Sequence, residues 1–201
     1  MRPQVSGGPA TSGTSQTPEH TILALLTTHG NLTAYLTGGV IFPTGAQMPS
    51  WNRDRHHNDL SSLTPELLPL FTQPPGEAMV EAFIDTSRFQ HPVLIEFQAN
   101  RLHTAALLIN ETYQVLATDR ASTGQDIAVL INGLIPTSYI SQIVFRSEAA
   151  LADYQARLQG NFEPKDWEKL MISDPGRFNG ALDPDRLTAA LKRTEIGRAH
   201  V

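Results

Sequence analysis

The sequence predicts an α+β domain built on a mixed or antiparallel sheet of four to six strands, with helices concentrated at its C-terminal side. Three observations lead there. Between residues 93 and 145, short runs rich in Val, Ile and Leu are separated by polar turn residues, the pattern of short strands. After residue 146 the spacing becomes helical: Leu151, Tyr154 and Leu158 stand at i, i+3 and i+7, a single buried stripe. The 201 residues are 40% hydrophobic and 17% charged, a globular composition in a chain long enough to bury a core without a disulfide or metal.

The elements follow in order. Residues 1–19 are rich in Ser, Thr, Gly, Pro and Gln and bury too little to offset the entropy of ordering, so a disordered tail is expected. The apolar run 22–26 is too short to assign by period and reads as a strand ending at Thr28 or as the first turns of a helix. Residues 32–36 read as a short helix closed by Gly38-Gly39, and 40–42 as a short strand stopped by Pro43. Residues 43–62 form a long loop, of the kind that is often functional. Ser62 or Thr64 caps a helix expected through Leu70. Pro74-Pro75-Gly76 breaks the chain, and Ala78, Met79, Ala82 and Phe83 have helical spacing. Strands are expected at 93–97, 105–109, 113–117, 127–131 and 142–145, with a hairpin around Asn110-Glu111-Thr112. Ser147 caps the helix that carries the Leu151 stripe, and Gly160 closes it. Two further helices are expected at 164–171 and 184–193, the latter capped by Asp183. The domain is therefore expected to span residues 20–172, with a linker and the start of a following helical region at 173–195.

One codon choice for residues 196–201, ATC GGA AGA GCA CAC GTC, is the beginning of a common short-read sequencing adapter whose next triplet is a stop. The expectation is that the native frame ends near Glu195, that 196–201 are an artefact of adapter read-through, and that the protein continues beyond this fragment. Arg198 and His200 are accordingly left out of site reasoning.

Composition excludes several function classes. Cys is absent, which removes thiolate nucleophiles, Cys-ligated zinc, iron–sulfur clusters and disulfide frameworks. The formal net charge is −5, so nucleic-acid binding is not indicated by charge, although a local basic patch is left open. No apolar run approaches the ~20 residues of a membrane span, and residues 1–19 have no signal-peptide core; a cytoplasmic protein without a membrane partner is expected. P-loop, dinucleotide-binding and nucleophile-elbow motifs do not occur.

Three constellations carry candidate chemistry. The first is Thr27-Thr28-His29-Gly30-Asn31-Leu32, leading to a short helix and Gly38-Gly39. If the preceding run is a strand, His29 sits at its C-terminal end, where an imidazole can hydrogen-bond a ribose or phosphate or shuttle a proton; the alternative is a His that caps a helix start or a turn. This segment resembles the opening of the DNA-targeting ADP-ribosyltransferase toxins, in which a strand ending in Thr-x-His-x-x-Asn-Leu leads into a helix and a glycine. Here the spacing between His29 and Asn31 is one residue shorter. The resemblance implies NAD as cofactor, with His29 as a catalytic residue near it and Thr28 and Asn31 at the binding site. It also implies an arginine for the cofactor phosphates, for which Arg53 or Arg55 are the candidates, and a late catalytic glutamate, for which Glu148 is the candidate.

The second constellation, Arg53-Asp54-Arg55-His56-His57-Asn58-Asp59, combines acids, bases and two imidazoles. Adjacent His residues on an extended chain point to opposite sides, so they make a poor shared metal site. Anion capture by Arg53 or Arg55 is the functional alternative to a solvated loop. The third pairs Asp85 with Glu96-Phe97-Gln98. Two carboxylates followed by a lysine hold Mg²⁺ in many nucleases, but Gln98 occupies the lysine position, and the alternation fits an ordinary half-buried strand equally.

On the residues alone the cofactor is unknown, no metal site is assigned, and the leading expectation is a module that binds or positions a protein partner or a missing C-terminal domain. The alternative is the ADP-ribosyltransferase-like enzyme using NAD with His29. The third is a divalent-metal nuclease-like site at Asp85 and Glu96.

Overall fold

The computed structural model describes residues 21–43, 66–84, 91–102, 105–117, 126–158 and 166–198. Among these residues the chain runs β1 (Ile22–Thr28), α1 (His29–Gly38), β2 (Val40–Ile41), β3 (Leu67–Phe71), α2 (Glu77–Phe83), β4 (Pro92–Gln98), β5 (Ala105–Asn110), β6 (Val115–Ala117), β7 (Asp126–Asn132), β8 (Ile135–Pro136), β9 (Ile140–Phe145), α3 (Glu148–Leu158), β10 (Met171–Ser173) and α4 (Pro184–Arg198). The expected tail 1–19, all of the expected loop 43–62 but Pro43, with Arg53, Arg55 and both of its histidines, and Asp85 lie outside the described residues.

An eight-stranded sheet in the order β10-β9-β4-β1-β3-β7-β5-β6 dominates the architecture, with β2 and β8 forming a separate two-stranded ribbon. All neighbours in the large sheet are antiparallel except β10 and β9, which are parallel. The expectation of four to six strands with helices gathered at the C-terminal side is thus corrected. The sheet has eight strands, and α1 and α2 precede most of it.

Two segments read as helices account for the difference. Residues 67–71 form β3, whose Leu67, Leu68, Leu70 and Phe71 are all buried. Leu68 and Leu70 enter one core and Leu67 and Phe71 the other, so both faces are apolar and the alternation that marks a half-exposed strand is erased. Pro69 also disfavours a helix interior. The N–H of Thr72 donates to Ile127 of β7, so the donors of even-numbered residues face β7 and the donor missing at Pro69 would have faced β1. The ladder to β7 is accordingly continuous over residues 67–71, whereas the ladder to β1 is reduced to Ala24 opposite Phe71. The expected helix 164–171 is replaced by a 3-10 turn at Glu168–Leu170 and by β10. β10 pairs with the open edge of β9, a long-range partner that overrides local propensity.

Helices cover both faces. On one, α1 and α3 place Leu32, Tyr35, Leu36, Ala150, Tyr154 and Leu158 against Leu23 and Leu25 of β1, Val93, Ile95 and Phe97 of β4, and Phe145 of β9. On the other, α2 and α4 place Met79, Val80, Leu187, Ala190 and Leu191 against Ala24, Leu26, Leu94, Leu130 and Val144. No helix among the described residues is long and apolar enough to cross a membrane.

Candidate functional site

The site is built at the end of β1. Thr28 closes the β1–β4 ladder opposite Pro92, then keeps extended backbone angles (φ −106°, ψ 159°) as the N-cap of α1. Its Oγ1 accepts the N–H of Asn31 at 3.2 Å, satisfying one of the donors that a helix start leaves open. The Asn31 amide nitrogen donates to Thr27 Oγ1 at 3.1 Å. All three side chains are buried. Thr28 and Asn31, expected to bind cofactor, thus stand beneath His29 and tie the strand to the helix.

His29 is the first residue of α1 and is partly buried. Its N–H donates to the His91 carbonyl at 3.0 Å, and its Nδ1 accepts the main-chain N–H of His91 at 2.9 Å. The His29 carbonyl accepts Thr33 Oγ1 at 3.0 Å, and Thr33 Oγ1 in turn lies 3.2 Å from the Tyr154 hydroxyl. The Tyr154 ring meets the imidazole edge-on at 6.4 Å between centroids, and the His91 ring lies at 5.5 Å. An imidazole whose Nδ1 accepts a main-chain donor carries its proton on Nε2 when neutral. Burial lowers the His29 pKa below its ordinary value, His91 and Arg157 lower it further, and Asp153 opposes them. Neutral His29 therefore offers one group, the Nε2–H donor, for which the described residues supply no acceptor. That arrangement suits a hydrogen bond to a ligand oxygen, not general-base work.

Around this histidine is a charged group that sequence reasoning missed. His91 Nε2 lies 3.5 Å from Asp153 Oδ2, and the Arg157 guanidinium approaches the same oxygen at 3.0 Å. Asp153 and Arg157 occupy the polar side of α3, where i,i+4 charge pairs are ordinary surface features. His91 comes from a chain segment 62 residues away. Only the packing of α3 on β9, with Tyr154 against Phe145 and within reach of Thr33 on α1, makes these residues neighbours of His29.

Glu148 begins α3 and is exposed, one residue after Ser147, whose Oγ caps the helix through the N–H of Ala150 at 3.2 Å. Thr28 pairs with Pro92 and Phe145 with Val93, so β1 and β9 end at the same sheet edge on either side of β4. The ends of β1 and β9 are thus about 10 Å apart, two strand spacings, and His29 and Glu148 follow those ends without a described contact. Glu96 lies elsewhere. Alternation places it on the sheet face of Leu94, covered by α2 and α4. Its side chain is 3% exposed, with Arg177 Nη1 at 3.5 Å. Burial raises its pKa, against the lowering effect of Arg177. Among the described residues no three His, Asp or Glu side chains are grouped to hold a metal ion.

No protein-family model matches the sequence, and no curated protein is significantly similar to it. Solved structures are similar. DarT from Thermus sp. 2.9 in complex with carba-NAD+ matches with a TM-score of 0.52 and 12% identity, over 81% of this chain and 100% of that one. The same protein in complex with ADP-ribosylated ssDNA matches with a TM-score of 0.53 and 12% identity, over 80% of this chain and 97% of that one. Its complex with NAD+ matches with a TM-score of 0.51 and 11% identity, over 81% and 100%. At these identities the likeness is one of fold: the chain shares the architecture of Thermus sp. 2.9 DarT.

Proposed function

We propose that the protein is an ADP-ribosyltransferase-type enzyme that binds NAD+ at the C-terminal end of β1 and modifies nucleic acid. One observation carries the reading. His29 is held with its Nδ1 occupied and its Nε2–H free, at a strand end in a fold shared with a protein whose solved complexes contain NAD+ and ADP-ribosylated ssDNA. The fold likeness favours this over a binding or positioning module, which rests on missing motifs, and over a metal nuclease, whose Glu96 is paired with Arg177.

The residues present fit the cofactor. The Nε2–H of His29 supplies a neutral donor for a ribose hydroxyl or carboxamide oxygen, and the Arg157 guanidinium, with its side chain 53% exposed, supplies positive charge close by. Bound NAD+ supplies the glycosidic bond whose cleavage releases nicotinamide and transfers ADP-ribose. This chain's part is to orient that ligand through His29, and the proposed role of Glu148 is to accept a proton from the attacking group. Arg53 and Arg55 stay proposed phosphate ligands.

Thermal melting in millimolar NAD+ tests the reading, because a ligand that binds only the folded state raises the melting temperature. The expected result is an upward shift that His29→Ala removes. A melting temperature indifferent to NAD+ overturns it.

A further inference from the structure

Two hydroxyls link α3 to α1, and each has one proton to give. Thr33 Oγ1 donates its proton to the His29 carbonyl at 3.0 Å. At the 3.2 Å contact between Thr33 Oγ1 and the Tyr154 hydroxyl, Thr33 can therefore only accept, and Tyr154 is the donor. The result is a directed chain from the Tyr154 O–H through Thr33 Oγ1 to the His29 carbonyl. Tyr154 is 2% exposed. Burial pushes its hydroxyl pKa up to about 12, against an opposite effect of Thr33, so the donor keeps its proton at neutral pH.

His29 is held from its other side by the main chain of His91, which bonds both its N–H and its Nδ1. Two bonds to one residue define an axis, about which the imidazole can still tilt. Tyr154 supplies the third support. Its hydroxyl chain holds the His29 carbonyl, and its ring meets the imidazole edge-on, with centroids 6.4 Å apart. The Tyr154 ring is itself seated on Phe145 of β9, with centroids 5.2 Å apart. Resting on the proposed NAD+ site, we propose that Tyr154 is a positioning residue of that site, which fixes the direction of the His29 Nε2–H through Thr33 and through its own ring edge. A donor aimed in advance keeps its full contribution on binding, whereas one that must first be ordered loses part of it. The same contact joins α1 to the helix that begins with Glu148, so one strap holds both elements of the proposed site together.

The test pairs nitrogen-15 NMR of the histidine rings with calorimetric titration of NAD+, on the full chain at pH 7.5. Tyr154→Phe keeps the ring and its packing, so a change at His29 reports the lost hydroxyl. The expected result is a displaced His29 ring signal in Tyr154→Phe and in Thr33→Val. Adding Tyr154→Phe to Thr33→Val displaces it no further, because the chain is already broken. NAD+ affinity falls in step by about three- to tenfold, the net effect of one hydrogen bond. Thr33→Ser, which keeps the hydroxyl, retains the parent's values. A side chain that only stabilises the fold would lower the melting temperature and leave the His29 signals in place. Should Thr33→Val not fold, Tyr154→Phe and Thr33→Ser carry the test. His29 signals unmoved in Tyr154→Phe, additive displacements in the double variant, or unchanged NAD+ affinity in Tyr154→Phe overturns the proposal. If the parent does not bind NAD+, the proposed cofactor is wrong, and the ring signals decide by themselves: displacement supports the hold of Tyr154 on His29, and no displacement overturns it.

Discussion

His29 and His91 exchange two hydrogen bonds. The N–H of His29 reaches the His91 carbonyl at 3.0 Å, and the N–H of His91 reaches His29 Nδ1 at 2.9 Å. The first continues the β1–β4 ladder one residue beyond Thr28 and Pro92. The second uses the same main chain to decide which imidazole nitrogen carries the proton. Strand pairing thus sets the chemistry of the side chain.

The tautomer is directly observable. Nitrogen-15 NMR of His29 at pH 7.5 should show a protonated Nε2 and an unprotonated, hydrogen-bonded Nδ1. His91→Pro deletes the donor while retaining the carbonyl, and should move the Nδ1 resonance. The opposite tautomer in the parent protein would remove the basis for treating His29 as a donor.

Stability should fall on the acidic side through His29. Its folded pKa lies below the ordinary 6.5, so the unfolded chain binds the proton first as pH drops. The favourable contribution is complete above about pH 6.5 and is lost as pH falls through the folded value. Urea midpoints between pH 7.5 and 5 should decline less steeply in His29→Gln than in the parent. Parallel curves would show that another group titrates there.

Glu96 has the opposite sign. Its folded pKa is raised above 4.5, so the cost of holding the buried carboxylate is present at neutral pH and is relieved as pH falls through the folded value. Glu96→Gln keeps the shape without the charge and should leave stability at pH 7.5 equal or higher. Glu96→Ala should lower it, because a cavity opens beside Arg177. A clear loss in Glu96→Gln would mean that the attraction to Arg177 outweighs desolvation.

The cap of α1 can be weighed separately. Thr28→Ala deletes the acceptor for the Asn31 N–H and should cost about 1 kcal/mol, with Thr28→Ser retaining most of it. Denaturant unfolding of the two variants reads this directly. Equal losses would assign the effect to the Thr28 methyl group.

Gly76 and Gly180 mark where the Pro74-Pro75-Gly76 turn crosses the chain leading to α4. A Cβ on Gly76 would overlap the Gly180 carbonyl, and one on Gly180 would overlap the Pro74 carbonyl. The Gly180 N–H also donates to Pro75 at 3.1 Å. The obstacles are main chain and cannot swing aside, so either change to Ala should destabilise on the order of 3 kcal/mol. Gly38→Ala, with open space at its Cβ, is the control and should be nearly neutral or stabilising.

Much of the chain could be read from its residues because local chemistry acts locally. The apolar runs at 93–97 and 127–131 are strands, the Asn110 turn joins β5 to β6, and Gly39 ends α1 in the left-handed conformation (φ 72°) that glycine adopts freely. The Thr-Thr-His-Gly-Asn run carries a cap and an imidazole within five residues, which is what marks His29 as a candidate. The remainder depends on partners far away in sequence. Residues 67–71 are a strand because β7 pairs with them, and residues 171–173 are a strand because the edge of β9 was open. The chemical state of His29 is set by a main-chain donor at residue 91, and its electrostatics by Asp153 and Arg157 on α3. A linear pattern records which residues are apolar, and at what spacing. It does not record which strand edge, carbonyl or charge will stand opposite them once the chain is closed into a sheet.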